Sequence, residues 1–226
     1  MQQKFVEQLQ EHLKALGLYT GNIDGIAGNG TKTALEAMIT AHKTCAINCK
    51  PDELDAVERV YWGSKVSKTF RDRVLWMRDA LGMPKEGANW LMSVMAFETG
   101  RSFRADVKNA AGSSGTGLIQ FMSFTAKAMG TTVEALAKMT PEDQLNWVYK
   151  YFSPYKGKLN SLGDVYFVVL YPKAVGHSDD WVLWEKGTLS YTQNKGLDKD
   201  VDGKVTRKEV LTTITKMYTE GKQHEA

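Results

Sequence analysis

Glu98 closes the run Trp90-Leu91-Met92-Ser93-Val94-Met95-Ala96-Phe97, in which Ser93 is the one polar residue. A helix apolar on nearly every side must be buried, and Gly100, two residues on, suits its C-cap. A carboxylate at that end loses water and faces the negative pole of the helix dipole. Both effects disfavour its charge and raise its pKa. A carboxyl that keeps its proton near neutral pH can serve as a general acid. The same residues also fit a plain helix end with the carboxylate head in water.

Downstream, Asn109-Ala110-Ala111-Gly112-Ser113-Ser114-Gly115-Thr116-Gly117-Leu118-Ile119-Gln120-Phe121-Met122 carries three glycines and one polar residue, Gln120, inside an apolar run. Such glycines let the backbone turn sharply and approach a ligand closely. Phosphate cradling is set aside. The Gly-x-x-Gly-x-Gly spacing fits neither the dinucleotide fingerprint nor the Walker loop, and no strand-like run leads into it.

Glu98-Thr99-Gly100, then Gly115-Thr116-Gly117-Leu118-Ile119-Gln120-Phe121-Met122, then Val168-Val169-Leu170-Tyr171-Pro172-Lys173-Ala174-Val175-Gly176 resembles the lytic transglycosylase and goose-type lysozyme superfamily. It is most similar to the versions found in phage endolysins. The resemblance implies cleavage of the bond between N-acetylmuramic acid and N-acetylglucosamine, with Glu98 acting first as acid and then as base. It implies Thr99, Gly117, Gln120 and Tyr171 as the substrate-binding residues of a glycan cleft, and a chemistry that requires no cofactor. Pro172-Lys173 stands where the family often has Asn-Ala. The two-carboxylate scheme needs a second acid across the scissile bond; the resemblance implies that the sugar's own C6 hydroxyl can instead close a 1,6-anhydro ring, with water attack as the hydrolytic alternative. Asp106, Glu134 and Asp164 are the nearby acids, and each reads as a solvated surface charge.

These residues need a scaffold, and 226 residues with 42% hydrophobic and 24% charged content suffice for one sizeable domain plus a small one. A net charge of +3 with interspersed signs lacks the footprint of a duplex nucleic-acid partner, while a slightly basic surface suits an anionic cell wall. Met1 to Gln8 hold no apolar core of signal-peptide length, and no later run is long enough to span a bilayer. The expectation is a monomer made in the host cytoplasm without stable membrane insertion, released to the wall through holin lesions in phage lysis. A tail-associated role is the alternative.

Val6, Leu9, Leu13 and Leu16 fall at helical spacing before Gly17, and a glycine-studded loop follows, with Asp24-Gly25 as a turn and Thr31 as N-cap of the next helix. The run from Leu9 to Ala34 resembles the three-helix peptidoglycan-binding module. Its Tyr19, Asp24 and Thr31 fit ligand contacts, or simply turn and cap residues. Lys50-Pro51 breaks the chain, giving a peptidoglycan-binding domain over 1–50 and a lysozyme-like domain over 51–226. The latter opens on helices at Asp52–Trp62, Val66–Leu81 and Glu86–Thr99, so the fold is mainly α. Cys45 and Cys49, with His42 nearby, lack a fourth metal ligand and the usual Cys-x2-Cys step; they read as free thiols.

Residues 198–209 match the EF-hand loop, with Asp198, Asp200, Asp202, Lys204 through its carbonyl, and Glu209 at ligand positions and Gly203 at the sixth. A structural calcium is one reading. The other is a helix-capping box of Thr206 and Glu209. Trp147, Tyr149, Tyr151, Phe152 and Tyr155 read as core aromatics on helical spacing, and His177 as a loop histidine. Two function classes follow: a wall-cleaving enzyme with a binding module, or a non-catalytic wall-binding or structural protein on the same scaffold.

Overall fold

The computed structural model describes residues 2–15, 17–37, 58–109 and 112–226. The chain forms two compact units, Met1–Glu58 and Arg59–Ala226. The expected boundary at Pro51, and the Cys45, Cys49 and His42 group, lie outside the described residues.

In the first unit, helix α1 (Gln2–Ala15) is closed by Gly17 at φ 71°, with the amides of Leu18 and Tyr19 turning back onto the Leu13 carbonyl. A second helix, α2, covers 29–37. Leu13, Tyr19 and Ala34 form the core, with Leu9 and Leu35 against it. Among the described residues a polar centre adjoins this apolar one: the buried Gln10 amide reaches the Tyr19 hydroxyl (3.2 Å), Asp24 Oδ1 (2.8 Å), the Ile26 carbonyl (3.1 Å) and Thr31 Oγ1 (3.1 Å), while its oxygen accepts from the amides of Asp24 and Gly25. Thr31 is not the N-cap that its position in the sequence suggests. The helix begins two residues earlier, and the Thr31 hydroxyl instead donates to the Ile26 carbonyl (3.3 Å).

The second unit is also helical: α3 (Lys68–Ala80), α4 (Gly87–Glu98), α5 (Ser123–Ala128), α6 (Val133–Ala137), α7 (Pro141–Phe152), α8 (Leu162–Leu170), α9 (Leu189–Asn194) and α10 (Arg207–Gly221), with the short antiparallel pair β1 (Val182–Glu185) and β2 (Lys204–Thr206). The protein is thus mainly α. Side-chain caps start several of these helices: Ser67 accepts from the Phe70 amide, Thr140 from Asp143, and Ser161 from Asp164. Helix α4 is the axis. It packs against α3, α8 and α10, and Leu91, Met92, Val94, Met95 and Ala96 are sealed from solvent. Ser93, the polar residue within, donates its hydroxyl to the Asn89 carbonyl (2.7 Å).

Two of the three helices expected here are present, α3 and α4, each within its expected span. The first is not helical over 58–62, and its earlier residues lie outside those described. Trp62 instead takes a left-handed conformation (φ 66°) and buries its indole, whose N–H donates to the Met217 carbonyl (3.2 Å). Tertiary burial of one large ring overrides the local helical pattern. Beside it, Val60 and Ala226 exchange backbone hydrogen bonds at 3.0 and 3.3 Å. Among the described residues no helix is long and apolar enough to cross a membrane.

Candidate active site

Helix α4 ends in a Schellman arrangement. The Gly100 amide donates to the Phe97 carbonyl (3.2 Å) and the Arg101 amide to the Ala96 carbonyl (2.6 Å), with Gly100 at φ 57°. Thr99, expected at the substrate, is buried, its hydroxyl donating to the Met95 carbonyl (2.6 Å) and accepting from the Phe103 amide (3.0 Å), so that it fastens the helix end that carries Glu98.

Glu98 itself is half-buried, and its carboxyl has no hydrogen-bond partner among the described residues. Burial pushes its pKa up to about 7. Two phenols stand close enough to feel its charge. Tyr151 is pushed up to about 12, first by burial, then by Tyr155 and Glu98; Tyr166, buried and edge-on to Phe97 at 5.6 Å, is pushed up by burial and then by Glu98. Both phenols therefore stay protonated at neutral pH. The sequence reading placed Tyr151 in the core and did not single out Tyr166. Tyr151 does pack, edge-on to Phe121 at 6.1 Å with its hydroxyl donating to the Val168 carbonyl (3.0 Å), but it also lines a surface groove.

That groove, about 330 Å³, is walled by Gln120, Met122, Phe124, Tyr151, Leu170 and Pro172 among others. Tyr151 thus lies within electrostatic reach of Glu98, itself not among the lining residues, and also lines this groove. Its glycine loop is held by backbone pairing: Thr116 and Phe121 exchange hydrogen bonds (3.1 and 2.9 Å), and the Gly117 amide donates to the Val107 carbonyl (2.8 Å). Gly117, expected at the substrate, is required for packing. Its φ is +77°, and a Cβ there would strike the Gln144 side-chain amide and fall 2.7 Å from the Ala105 carbonyl. Gln144, which the sequence reading missed, is fully buried; it accepts from the Leu118 amide (2.7 Å) and donates to the carbonyls of Ala105 and Leu136. A polar residue on the buried stripe of α7, beside Leu145, Val148 and Phe152, was the available signal.

Gln120 adopts φ 52°, its amide nitrogen reaching the carbonyls of Val107 and Gly117 (3.3 Å each), while its oxygen is buried without a partner. Tyr171 lies elsewhere than expected. It packs half-buried against Trp184 (5.7 Å) and Trp181 (6.3 Å), and it is not among the groove residues that flank it in sequence. In the first unit, the Tyr19 hydroxyl donates to the Asn22 carbonyl (2.9 Å) and accepts from Gln10, so its polar end is spent internally; Asp24 Oδ1 accepts from Gln10 and from the Ile26 amide (2.9 Å). Tyr19 and this oxygen of Asp24 hold the loop together.

Of the three nearby acids, Asp106 is exposed and paired with Arg104 (2.7 Å), and Glu134 is exposed at the start of α6. Asp164 departs from the expected solvated charge. It is buried at the start of α8, ion-paired with the equally buried Arg207 (2.9 Å), and accepts from the Ser161 hydroxyl (2.8 Å) and the Gly176 amide (3.0 Å). Its lone pairs are committed to structure.

In the 198–209 loop, carboxylate oxygens of Asp198, Asp200 and Asp202 lie within 4.8 Å of one another. Asp198 is buried: its Oδ2 accepts from the Tyr191 hydroxyl (2.7 Å) and the Gly203 amide (3.0 Å), and its Oδ1 has no partner. Glu209 does not join the three. Its oxygens accept from the Lys199 amide, the Thr206 amide and the Thr206 hydroxyl, completing the capping box of α10. Lys204 opens β2, its amide donating to Asp202 Oδ1 (2.7 Å). Both readings of the loop therefore have a structural counterpart. Three of the five expected ligands gather, and the capping box forms beside them.

A mainly helical protein with a small first unit built on a polar hub, followed by a larger unit with a sequestered carboxyl near a groove, is the class these observations define. Over residues 2–42 the chain matches the family model described as a putative peptidoglycan binding domain, which supports a peptidoglycan-binding module at the N-terminus and peptidoglycan as its partner. No curated protein matches the chain.

Proposed function

We propose that the second unit cleaves the glycan strands of peptidoglycan, in the manner of the lytic transglycosylase and goose-type lysozyme superfamily that its sequence resembles. The observation that carries this is Glu98, unpartnered and held near a pKa of 7 by burial, beside a phenol that lines an open groove. The Glu98 proton passes to the glycosidic oxygen as the C1–O bond breaks. The carboxylate then takes the proton of the attacking hydroxyl, and the acid is restored. Since Asp106 is paired with Arg104 and Asp164 with Arg207, neither supplies the second carboxylate of the usual scheme. That favours the sugar's own C6 hydroxyl as the attacking group over an enzyme nucleophile. Mass spectrometry of released muropeptides separates anhydro from hydrated products by one water. Glu98→Gln is expected to lower clearing of purified walls by orders of magnitude while wall binding persists; undiminished clearing would remove Glu98 from the mechanism, and a native chain that binds walls without clearing them would leave the non-catalytic wall-binding reading in its place.

A calcium ion fits the 198–209 loop, because the buried Asp198 Oδ1 lacks a partner and faces two further carboxylates. Asp198, Asp200 and Asp202 would hold it, and its contribution there is to structure. The biological setting that suits these parts is phage-mediated lysis by a monomer acting on the wall after holin-mediated release. Deletion of the corresponding phage gene, with lysis timing as readout, tests that role.

A further inference from the structure

Trp76 is 56% exposed although it sits in the middle of α3, and its ring is set against Tyr149 of α7 at 4.9 Å and 57°. Trp76 lines a separate hollow of about 280 Å³ together with Arg73, Met77, Leu145 and Asn146. It is not part of the Glu98 groove. On α7, Tyr149 and Tyr151 are two positions apart, hence about 200° around the helix, and it is Tyr151 that faces the groove. The lining of the hollow joins the apolar side chains of Trp76, Met77 and Leu145 to a guanidinium and a primary amide.

We propose that this hollow is a second glycan-binding site, taking an N-acetylated amino sugar of the peptidoglycan strand on the back of the catalytic unit. Such a sugar has an apolar C–H face and a rim of acetamido and hydroxyl oxygens. The Trp76 indole offers the face a rigid surface that loses little conformational freedom on binding. Asn146 and Arg73 offer donors and, in the guanidinium, a charge complementary to the acidic lactyl and peptide groups of muramic acid. The Arg73 guanidinium is already oriented, donating to the Glu142 carbonyl (2.5 Å) and lying 3.6 Å from Asp143. The occupant is argued from the chain's own peptidoglycan-binding module, so the inference rests on the wall as partner and not on the chemistry of Glu98. It gives the second unit a grip on the wall independent of the first.

The test uses the full chain carrying Glu98→Gln, so that no probe is consumed, with its tryptophans labelled for indole N–H spectra. All six tryptophans lie at or beyond Trp62, and the Trp76 signal is identified by its loss in Trp76→Phe. The N-acetylglucosamine tetramer is expected to shift that signal saturably, and Trp76→Ala and Asn146→Ala are each expected to weaken retention on purified peptidoglycan about tenfold. A Trp76 signal unmoved at millimolar tetramer, or unchanged retention in both variants with native circular dichroism, overturns the proposal. Because binding is read in the Glu98→Gln protein, failure here is distinct from failure of the cleavage reading, which shows only as clearing that survives without Glu98.

Discussion

Burial of an acid leaves a signature in stability as well as in chemistry. Glu98 has a folded pKa of about 7 against an ordinary 4.5. Between those values the folded chain keeps a proton that the unfolded chain has released, so stability falls as pH rises through that window and stays lower above it. Glu98→Gln should therefore match the native protein at about pH 4 and exceed it above pH 7, by up to about 3 kcal/mol; urea titrations at the two pH values check this. Wall clearing should fall as pH rises through about 7, and Glu98→Gln should lower it by roughly two to four orders of magnitude. Gly117→Ala should cost about 2–4 kcal/mol in the same titrations, since it forces both a positive φ and a clash with Gln144. The Glu98 environment was legible as one of two readings, because a nearly unbroken apolar helix carries its last residue toward the core while its end can still reach water. The roles of Thr99, Gly117 and Tyr19 were not, since what decides them is which partner takes each group. Gln144 lies 26 positions from the Leu118 amide that it accepts from, and no local pattern announces such a pairing.

Among the elements, α10 is the tie-bar. Its first residue, Arg207, is buried against Asp164 of α8, lies over the Phe167 ring at 5.1 Å, and also pairs with Asp179 (2.7 Å). Further along, the Arg101–Glu220 pair (2.6 Å) joins the turn after α4 to the same helix; being exposed, it contributes little. Breaking the buried pair is different. Arg207→Ala should destabilise the second unit by about 3–5 kcal/mol, because Asp164 is left charged and without its cation, and a fall of several degrees or more in the midpoint of thermal unfolding would register it. Calcium should raise that midpoint in the native chain and leave Asp198→Asn unmoved; no shift in either would remove the metal from the 198–209 loop. Helix positions α3 and α4 could be read from periodicity and caps. The non-helical course of 58–62 could not, because a pocket for Trp62 made by Met217 and Gly221 exists only once the far end of the chain has folded back.

For the whole molecule, the extent of the second unit's core is what lets that unit stand alone. Leu13, Tyr19 and Ala34 are the buried apolar residues described in the first unit, whereas the second encloses a core running from Val60 to Met217. Removing residues 1–58 should leave a cooperatively folding remainder that cleaves soluble glycan at the native rate but sediments less with intact walls; an equal loss of both properties would mean that the units act as one.

The hydrogen bonds between Val60 and Ala226 have a practical corollary. Val60 and Ala226 are neighbours in space, so covalently bridging them by a short linker and opening an exposed turn elsewhere should yield functional circular permutants of the second unit. By the same logic this unit could be spliced as a cassette into a surface loop of an unrelated host protein without prising either partner apart.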